Sequence, residues 1–141
     1  MKATTRKLLV LLLCGMPLLA SAEIAVVTSP DTGVSSLSER EVRQLFNGET
    51  RELGGQRVTL LDLPEGDPVR EDFYRELMGR TADQMESHWA RQVFTGGGRP
   101  PRETSGVADM RSRAASAGAL GYLPAEEVDE DELRVLFRLS R

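Results

Sequence analysis

The residues whose types and spacing favour ligand chemistry form a glycine turn near the middle of the chain. Asp67 and Pro68 follow an apolar run and have the types typical of the N-cap and first position of a helix. A strand that meets a helix at a glycine turn directs unpaired backbone amides and the positive end of the helix dipole toward one point. Gly66, Val69 and Arg70 complete this turn, and a guanidinium can hold an oxyanion with two parallel hydrogen bonds. The turn is therefore a candidate oxyanion-binding site.

The same turn also has a purely structural interpretation. As an N-cap, Asp67 would itself satisfy the amides that an anion needs, and its charge would repel the anion. Arg70 lies in the first turn of the predicted helix, where the dipole disfavours a cation by about 0.3–1 kcal/mol. It therefore needs a negative partner, which would be Asp67, Glu71 or a bound oxyanion.

Two other stretches are weaker candidates for ligand binding. The loop after the first predicted strand carries the hydroxyl groups of Ser29, Thr32 and Ser35. Farther along, three consecutive glycines can direct backbone amides toward one point around Gly97, and Arg99 adds a fixed charge. A flexible loop that leaves a helix is the alternative interpretation of this glycine-rich stretch.

The sequence has no pattern typical of an enzyme or a metalloprotein. No nucleophile–base pair, metal-ligand spacing or nucleotide phosphate loop is visible, so we expect neither catalysis nor a cofactor. His88 is the only histidine. A lone histidine in a helix is more often a surface or packing residue than a metal ligand.

Residues 1–22 are predicted to be a cleaved signal peptide that directs the protein to the periplasm. The segment has a basic start, an apolar core at residues 8–13 and the small residues Ala20-Ser21-Ala22 before the cleavage point. An uncleaved membrane anchor is the alternative, although the apolar core is short for a membrane span. Cleavage would leave residues 23–141, enough for a single domain with a core of its own.

The composition of residues 23–141 is acidic and contains no cysteine. Removing the three basic residues of the leader leaves 15 arginines against 22 acidic residues, a net charge of −7. The sequence shows no basic patch, so we expect no nucleic-acid partner and no binding to anionic membranes.

Strands and helices are predicted to alternate along the chain. Apolar, β-branched or alternating segments predict strands at residues 23–28, 57–61, 119–123 and 133–139. Favourable N-cap residues begin four helices, at Ser38, Asp67, Thr81 and Ser105. Ser38 with Glu41, and Thr81 with Gln84, have the spacing of a capping box. The first three helices are expected to end near Gly48, Gly79 and the glycine-rich stretch, and the fourth at Gly118. This alternation predicts an α/β fold, a mixed sheet flanked by helices.

Three segments, at residues 36–48, 58–73 and 118–124, together resemble the phosphate-binding periplasmic proteins of ABC transporters, and most of all their short members. The resemblance covers nearly all of residues 23–141 and keeps the order of the elements. It implies the periplasmic binding protein type II fold, in which two α/β lobes hold an oxyanion between them. This chain has the length of a single lobe.

At the central turn the family carries Glu-Gly-Ser-Gly-Thr-Arg, and this chain has Glu65-Gly66-Asp67-Pro68-Val69-Arg70. The resemblance implies a periplasmic solute-binding protein that binds phosphate or a similar oxyanion and acts with a membrane transporter or another envelope protein. The alternative is a periplasmic interaction or sensing module that keeps the fold and has lost oxyanion binding. An exposed apolar patch would favour that alternative.

Overall fold

Short strands and helices are interspersed along residues 22–141, the part of the chain that the computed structural model describes. The predicted signal peptide, apart from Ala22, lies outside these residues. The elements in order are β1 (Glu23–Thr28), α1 (Glu39–Asn47), β2 (Glu52–Leu53), β3 (Gln56–Arg57), β4 (Thr59–Asp62), α2 (Pro68–Met78), α3 (Ala82–Phe94), β5 (Arg102–Glu103), α4 (Val107–Ala114), β6 (Ala119–Pro124), a single 3₁₀ turn (Ala125–Glu127) and β7 (Arg134–Ser140).

Five strands form one mixed sheet in the order β5-β4-β6-β1-β7. The strand β4 runs parallel to both β5 and β6. The strand β1 runs antiparallel to its neighbours β6 and β7, so the first strand of the domain lies between two later ones. Two short strands, β2 and β3, form a separate hairpin. The predicted α/β class, a mixed sheet flanked by helices, is confirmed.

Local sequence explains where the helices begin. Both predicted capping boxes are present, at the starts of α1 and α3. In α1 the hydroxyl of Ser38 accepts a hydrogen bond from the Glu41 amide at 3.2 Å, and the Glu41 carboxylate accepts one from the Ser38 amide at 2.7 Å. These bonds satisfy amides that have no partner within the helix.

Two of the helices end at a glycine in the left-handed conformation. Gly48 ends α1 with φ of 82°, and Gly79 ends α2 with φ of 64°. Gly48 also packs tightly, because a Cβ atom at this position would lie 2.8 Å from Cη2 of Trp89. The close contact fixes the end of α1 against α3.

Aromatic side chains hold the helices against the sheet. Phe73 of α2 stacks on Tyr122 of β6 with ring centroids 3.8 Å apart. Phe46 of α1 meets the ring of Phe73 edge to face at 4.9 Å. All three side chains are fully buried, so this cluster joins two helices to the central part of the sheet.

Some predicted boundaries are wrong. The strand predicted at residues 57–61 is divided, because the Val58 amide donates to the carbonyl of Arg51 between β3 and β4. Ser105 does not cap α4: the N-cap is Gly106, and the Ser105 amide donates to the Asp109 side chain. The helix α4 ends at Ala114, short of Gly118.

The last strand departs from strict alternation. A register irregularity lies between Val26 and Val27 where β1 pairs with β7. As a result Leu136 and Leu139 are buried, whereas Val135 and Phe137 are only partly buried. A bulge of this kind shifts which side chains face the core.

No helix within residues 22–141 is both long enough and apolar enough to cross a membrane.

Candidate functional site

The central turn begins α2 as predicted from its residue types. Asp67 is the N-cap, and its carboxylate accepts a hydrogen bond from the Val69 amide at 2.8 Å. Pro68 occupies the first helical position, and Gly66 precedes the cap with φ of 82°. The side chain of Asp67 therefore satisfies the Val69 amide of the first turn, as the purely structural interpretation of the turn requires.

Arg70 is buried beside the end of β4. Its side chain is 6% exposed, and its Nε atom lies 3.3 Å from Oδ2 of Asp62, which is also buried. Its Nη2 atom lies 3.8 Å from Oε1 of Glu86 on α3. The negative partner of Arg70 is thus Asp62 at the end of the preceding strand, and neither Asp67 nor Glu71 pairs with it as the sequence had suggested.

Two tyrosine hydroxyl groups complete the surroundings of Asp62. Tyr74, one turn after Arg70 on α2, donates a hydrogen bond to Oδ2 of Asp62 at 2.6 Å. Tyr122 of β6 donates to Oδ1. The backbone carbonyl of Asp62 accepts hydrogen bonds from both the amide and the hydroxyl of Thr104, at 2.8 and 2.9 Å. Asp62 is therefore held by three parts of the chain.

Burial of this cluster shifts the pKa values of its members. Burial raises the pKa of Asp62 above its ordinary value, and the hydrogen bonds from Tyr122 and Tyr74 and the charge of Arg70 oppose this shift only in part. Burial, followed by the charge of Asp62, raises the pKa values of Tyr74 and Tyr122, so both remain hydroxyl donors at neutral pH. Burial is the largest single influence on the pKa of Arg70 and lowers it, but Asp62, the two tyrosines and Glu86 together outweigh burial, so the net shift is upward. Arg70 therefore carries a permanent charge.

Arg70 has hydrogen-bonding capacity that its protein neighbours do not use. Its Nε and Nη1 atoms are buried, and neither makes a hydrogen bond within residues 22–141. The Nε atom lies within ion-pair distance of Asp62, but not in hydrogen-bonding geometry. Buried polar groups are nearly always satisfied, so an arginine with spare donors marks a candidate ligand position.

A cavity of about 540 Å³ opens at this cluster, and we call it the strand-end cavity. Its polar lining comes from the Asp62–Arg70–Tyr74 cluster and from two further carboxylates, Glu86 and Glu103. The rest of the lining is apolar and comes from Met85, Trp89, Ala90, Val93, Phe94, Pro100 and Pro101. Phe94, at the C-terminal end of α3, is 92% exposed, and Val93 beside it is 50% exposed. The strand-end cavity thus combines a charged interior with an exposed apolar edge.

The sheet topology places this cavity where α/β proteins usually bind ligands. Asp62 and Glu103 are the last residues of the parallel strands β4 and β5. From β4 the chain crosses to β5 on one side, and from β5 it crosses back to β6 on the other side. Crevices outside the carboxyl ends of parallel strands, at such a reversal, are the usual ligand sites of open sheets.

The other predicted site residues do not join Arg70. Gly66, Asp67 and Val69 are on the turn but do not line the strand-end cavity. Ser29 and Thr32 line a separate cavity of about 260 Å³.

The hydroxyl groups of that separate cavity are used locally. Ser29 is buried and accepts from the Asp31 amide, and Thr32 accepts from the Val34 amide. Ser35 is exposed and does not line this cavity.

The glycine-rich stretch lies beside a third cavity, apart from those of Arg70 and Ser29. Arg99 lines a cavity of about 280 Å³ at the amino end of β4, opposite to the end that carries Asp62. The carbonyl of Gly97 accepts a hydrogen bond from Arg51, and the Gly97 amide donates to the carbonyl of Gln92 at 2.7 Å. The nine predicted residues are therefore spread over three cavities and their surroundings.

The potential metal ligands within residues 22–141 do not cluster, and His88 packs between two helices. No group of three or more potential metal ligands occurs among residues 22–141. His88 packs edge to face against Trp89, and its Nε2 atom lies 2.9 Å from the carbonyl oxygen of Asn47. It is a packing residue that links α3 to the end of α1.

Solved structures match this chain, whereas no protein-family model and no curated protein sequence does. One match is a phosphate ABC transporter substrate-binding protein with bound phosphate from Clostridium perfringens, at a TM-score of 0.65 and 18% identity, covering 82% of this chain and 44% of that one. An ABC-type phosphate transport receptor from Vibrio cholerae matches at 0.64 and 13% identity, over 82% and 45% of the two chains. PstS from Borrelia burgdorferi matches at a TM-score of 0.62 and 13% identity, and the match covers 82% of this chain and 46% of that one.

The fold is that of one lobe of a periplasmic binding protein. The fold predicted from the family resemblance is therefore confirmed. The chain spans less than half the length of each of these proteins, and identities of 13–18% establish the fold alone.

The residues that sequence reasoning missed are the partners of Arg70 in this lobe. Asp62 is a single carboxylate within the apolar run at residues 60–63, and such an interruption indicates a buried partner. Tyr74 follows Arg70 by four residues, so both lie on one face of α2. The sequence around Tyr122 gives no indication that this residue contacts Asp62, because only the sheet topology brings the two together.

Proposed function

We propose that this protein is a periplasmic solute-binding protein that binds phosphate or a similar oxyanion in the strand-end cavity. The observation that carries the proposal is the buried guanidinium of Arg70, a residue that lines the cavity and whose Nε and Nη1 atoms make no hydrogen bond within residues 22–141. The proteins of similar fold, which are described as phosphate-binding or phosphate-transport components, support the same ligand class.

The charges around Arg70 favour an anion of low charge. Asp62 already offsets the guanidinium, and Glu86 and Glu103 add negative charge at the lining of the cavity. A dianion would meet repulsion from these carboxylates, whereas a monoanion that retains a proton can also donate a hydrogen bond to one of them. We therefore expect monobasic phosphate to bind more tightly than sulfate, which has no proton to donate at neutral pH.

Export and delivery belong to the same proposal. Residues 1–22 would direct the chain to the periplasm and be removed, and the ligand would then pass to a membrane transporter or another envelope protein. N-terminal sequencing of the exported protein should find Glu23 as the first residue. Material that retains Met1 in the envelope fraction would contradict cleavage.

Calorimetry with matched arginine variants tests ligand binding. Arg70→Lys keeps the charge and loses the planar donor fork, so phosphate affinity should fall at least tenfold, given about 1.5–3 kcal/mol for a hydrogen bond to a charged group. Arg75→Lys on the same helix is the control, because Arg75 is exposed and pairs with Asp72 and Glu76. It should leave the affinity unchanged. Equal affinities in wild type and Arg70→Lys would contradict the proposed site.

An interaction module is the second candidate, and one observation favours it. Phe94 and Val93 are exposed apolar residues at the edge of the same cavity, where a partner would cover them. If the wild type takes up neither phosphate nor sulfate at millimolar concentration, this candidate replaces oxyanion binding. Phe94→Ser should then abolish co-purification of the envelope partner without lowering the melting temperature.

A further inference from the structure

Four arginine side chains line the cavity of about 280 Å³ at the amino end of β4, and we call this cavity the arginine pocket. The residues are Arg51, Arg57, Arg99 and Arg102. No carboxylate lines the pocket, although acidic residues outnumber basic ones in the chain. The expectation from sequence that no basic patch exists is therefore wrong. Folding brings together arginines from the hairpin, from the loop after α3 and from β5.

These arginines lack the ion pairs that most other arginines of the domain have. Seven arginines within residues 22–141 contact a carboxylate at 4.0 Å or less, and none of the four in the pocket is among them. Glu52 lies opposite Arg57 in the register of the hairpin, yet it forms no such ion pair. Four cations with no neutralising partner repel one another, and a bound anion would relieve that repulsion.

Arg51 connects two of the chain segments that form the pocket. Its Nη2 atom donates to the carbonyl of Gly97, which ties the hairpin to the glycine-rich loop. A Cβ atom at Gly98 would lie 3.1 Å from Nη2 of Arg51 and 3.5 Å from Cζ3 of Trp89. A side chain at Gly98 would therefore press on the Arg51 guanidinium, which shows how closely the glycine-rich loop packs against this arginine.

We propose that the arginine pocket binds a soluble anion that carries two or more phosphate groups. One orthophosphate has at most about two charges near neutral pH, fewer than the four guanidinium groups present, whereas a condensed or doubly phosphorylated anion can pair with all of them bidentately. The pocket lies at the low end of the usual volumes of ligand sites, which favours a compact anion. It lies at the opposite end of β4 from Arg70, and this binding goes beyond the proposed function.

Pyrophosphate is the probe that tests the arginine pocket. Calorimetry at about 0.1 M salt, where charges within about 10 Å still interact, should show saturable binding to the wild type. The emission of Trp89, the single tryptophan, should change in parallel; since Trp89 lines both this pocket and the strand-end cavity, the arginine variants assign the signal. Arg57→Gln with Arg102→Gln should weaken pyrophosphate binding at least tenfold. Both side chains are exposed and make no ion pair within the described part of the chain, so the fold should be retained.

A second basic cavity provides the matched control. Arg40 and Arg80 line a cavity of about 290 Å³ that also contains Glu49, and neither arginine has an ion pair in the described residues. Arg40→Gln with Arg80→Gln removes the same charge and should change pyrophosphate affinity less than twofold. If both double variants weaken binding equally, the attraction is general electrostatics and the proposal is overturned. The absence of any pyrophosphate binding at millimolar concentration would overturn it as well.

Two further measurements test two alternatives: that pyrophosphate binds in the strand-end cavity, and that the arginine pocket binds lipid head groups. Arg70→Lys should leave pyrophosphate binding intact even where it weakens orthophosphate binding, and a parallel loss of both would place the two ligands in the strand-end cavity. Vesicles containing phosphatidylglycerol should not retain the protein. Retention that depends on Arg57 and Arg102, without binding of soluble pyrophosphate, would assign the pocket to lipid head groups instead.

Discussion

At the scale of single residues, the carboxylate of Asp62 has more partners than any local pattern would suggest. This buried carboxylate accepts hydrogen bonds from two tyrosine hydroxyl groups and pairs with the buried guanidinium of Arg70. Asp62→Asn would leave the charge of Arg70 buried without its partner. Breaking a buried ion pair in this way usually costs about 3–5 kcal/mol. We expect a loss of that size in the free energy of unfolding, measured with urea.

Asp72→Asn is the matched control for this measurement. Asp72 contacts Arg75 and Arg141 near the surface, where ion pairs contribute about 0–1 kcal/mol. Combining Asp62→Asn with Arg70→Met should recover part of the lost stability, because the unpaired charge is then gone. If Asp62→Asn alone costs no more than Asp72→Asn, the buried cluster contributes little to stability.

The two aspartates of this region show what sequence can and cannot predict. The cap formed by Asp67 depends on its immediate neighbours, and the prediction from those neighbours is correct. The pairing of Asp62 with Arg70 and Tyr122 depends on how the strands are arranged, which no local pattern contains. In the arginine pocket only Arg99 was a predicted candidate, because the other pair, Arg51 and Arg57, comes from a much earlier part of the chain.

At the scale of elements, the two helix-ending glycines allow a direct comparison. Gly48 and Gly79 both have positive φ, but only Gly48 lies against Trp89. Gly79→Ala introduces backbone strain alone and should cost about 1 kcal/mol. Gly48→Ala adds a steric clash, for which overpacking costs about 1–3 kcal/mol more. Thermal unfolding of both variants measures the difference, and equal losses would show that Trp89 moves aside freely.

The capping box of α1 predicts a pH dependence. Hydrogen bonds from the backbone and hydroxyl of Ser38 lower the pKa of Glu41 from its ordinary value of 4.5. Since the folded-state pKa is the lower one, this stabilisation is present above pH 4.5 and is lost as the pH falls through the lowered pKa. Glu41→Gln keeps an acceptor but removes the charge. Its melting temperature should lie below that of wild type at pH 6, and the difference should shrink below pH 4.5.

The predictability of each element follows the strength of its local determinants. The helices α1, α2 and α3 begin where side-chain caps predict them, because those caps act within a few residues. The N-cap of α4 is Gly106, which makes no side-chain hydrogen bond, so the local pattern wrongly predicted its neighbour Ser105 as the cap. The two-residue strand β5 is too short for any periodicity and forms only because β4 pairs with it.

At the scale of the whole molecule, Phe46 and Phe94 differ in how they contribute to stability. Phe46 is fully buried against Phe73 and Tyr122, whereas Phe94 is almost completely exposed. Phe46→Ala should lower the free energy of unfolding by about 3–5 kcal/mol. Phe94→Ala should change it by less than about 0.5 kcal/mol. Denaturant unfolding of the two variants is the test, and a large loss for Phe94→Ala would mean that its side chain packs in solution.

The place of β1 between β6 and β7 has a consequence for the order in which the molecule can assemble. Val26 of β1 pairs with Tyr122 of β6 and Phe137 of β7, so β1 gains neither neighbour until these later strands have been synthesised. Contacts between such distant parts of a chain slow folding. During that interval the apolar residues of β1 would lie open to unwanted pairing, which is the situation in which a chain depends on a chaperone. A chain that stops before β7 would keep this strand permanently half-paired.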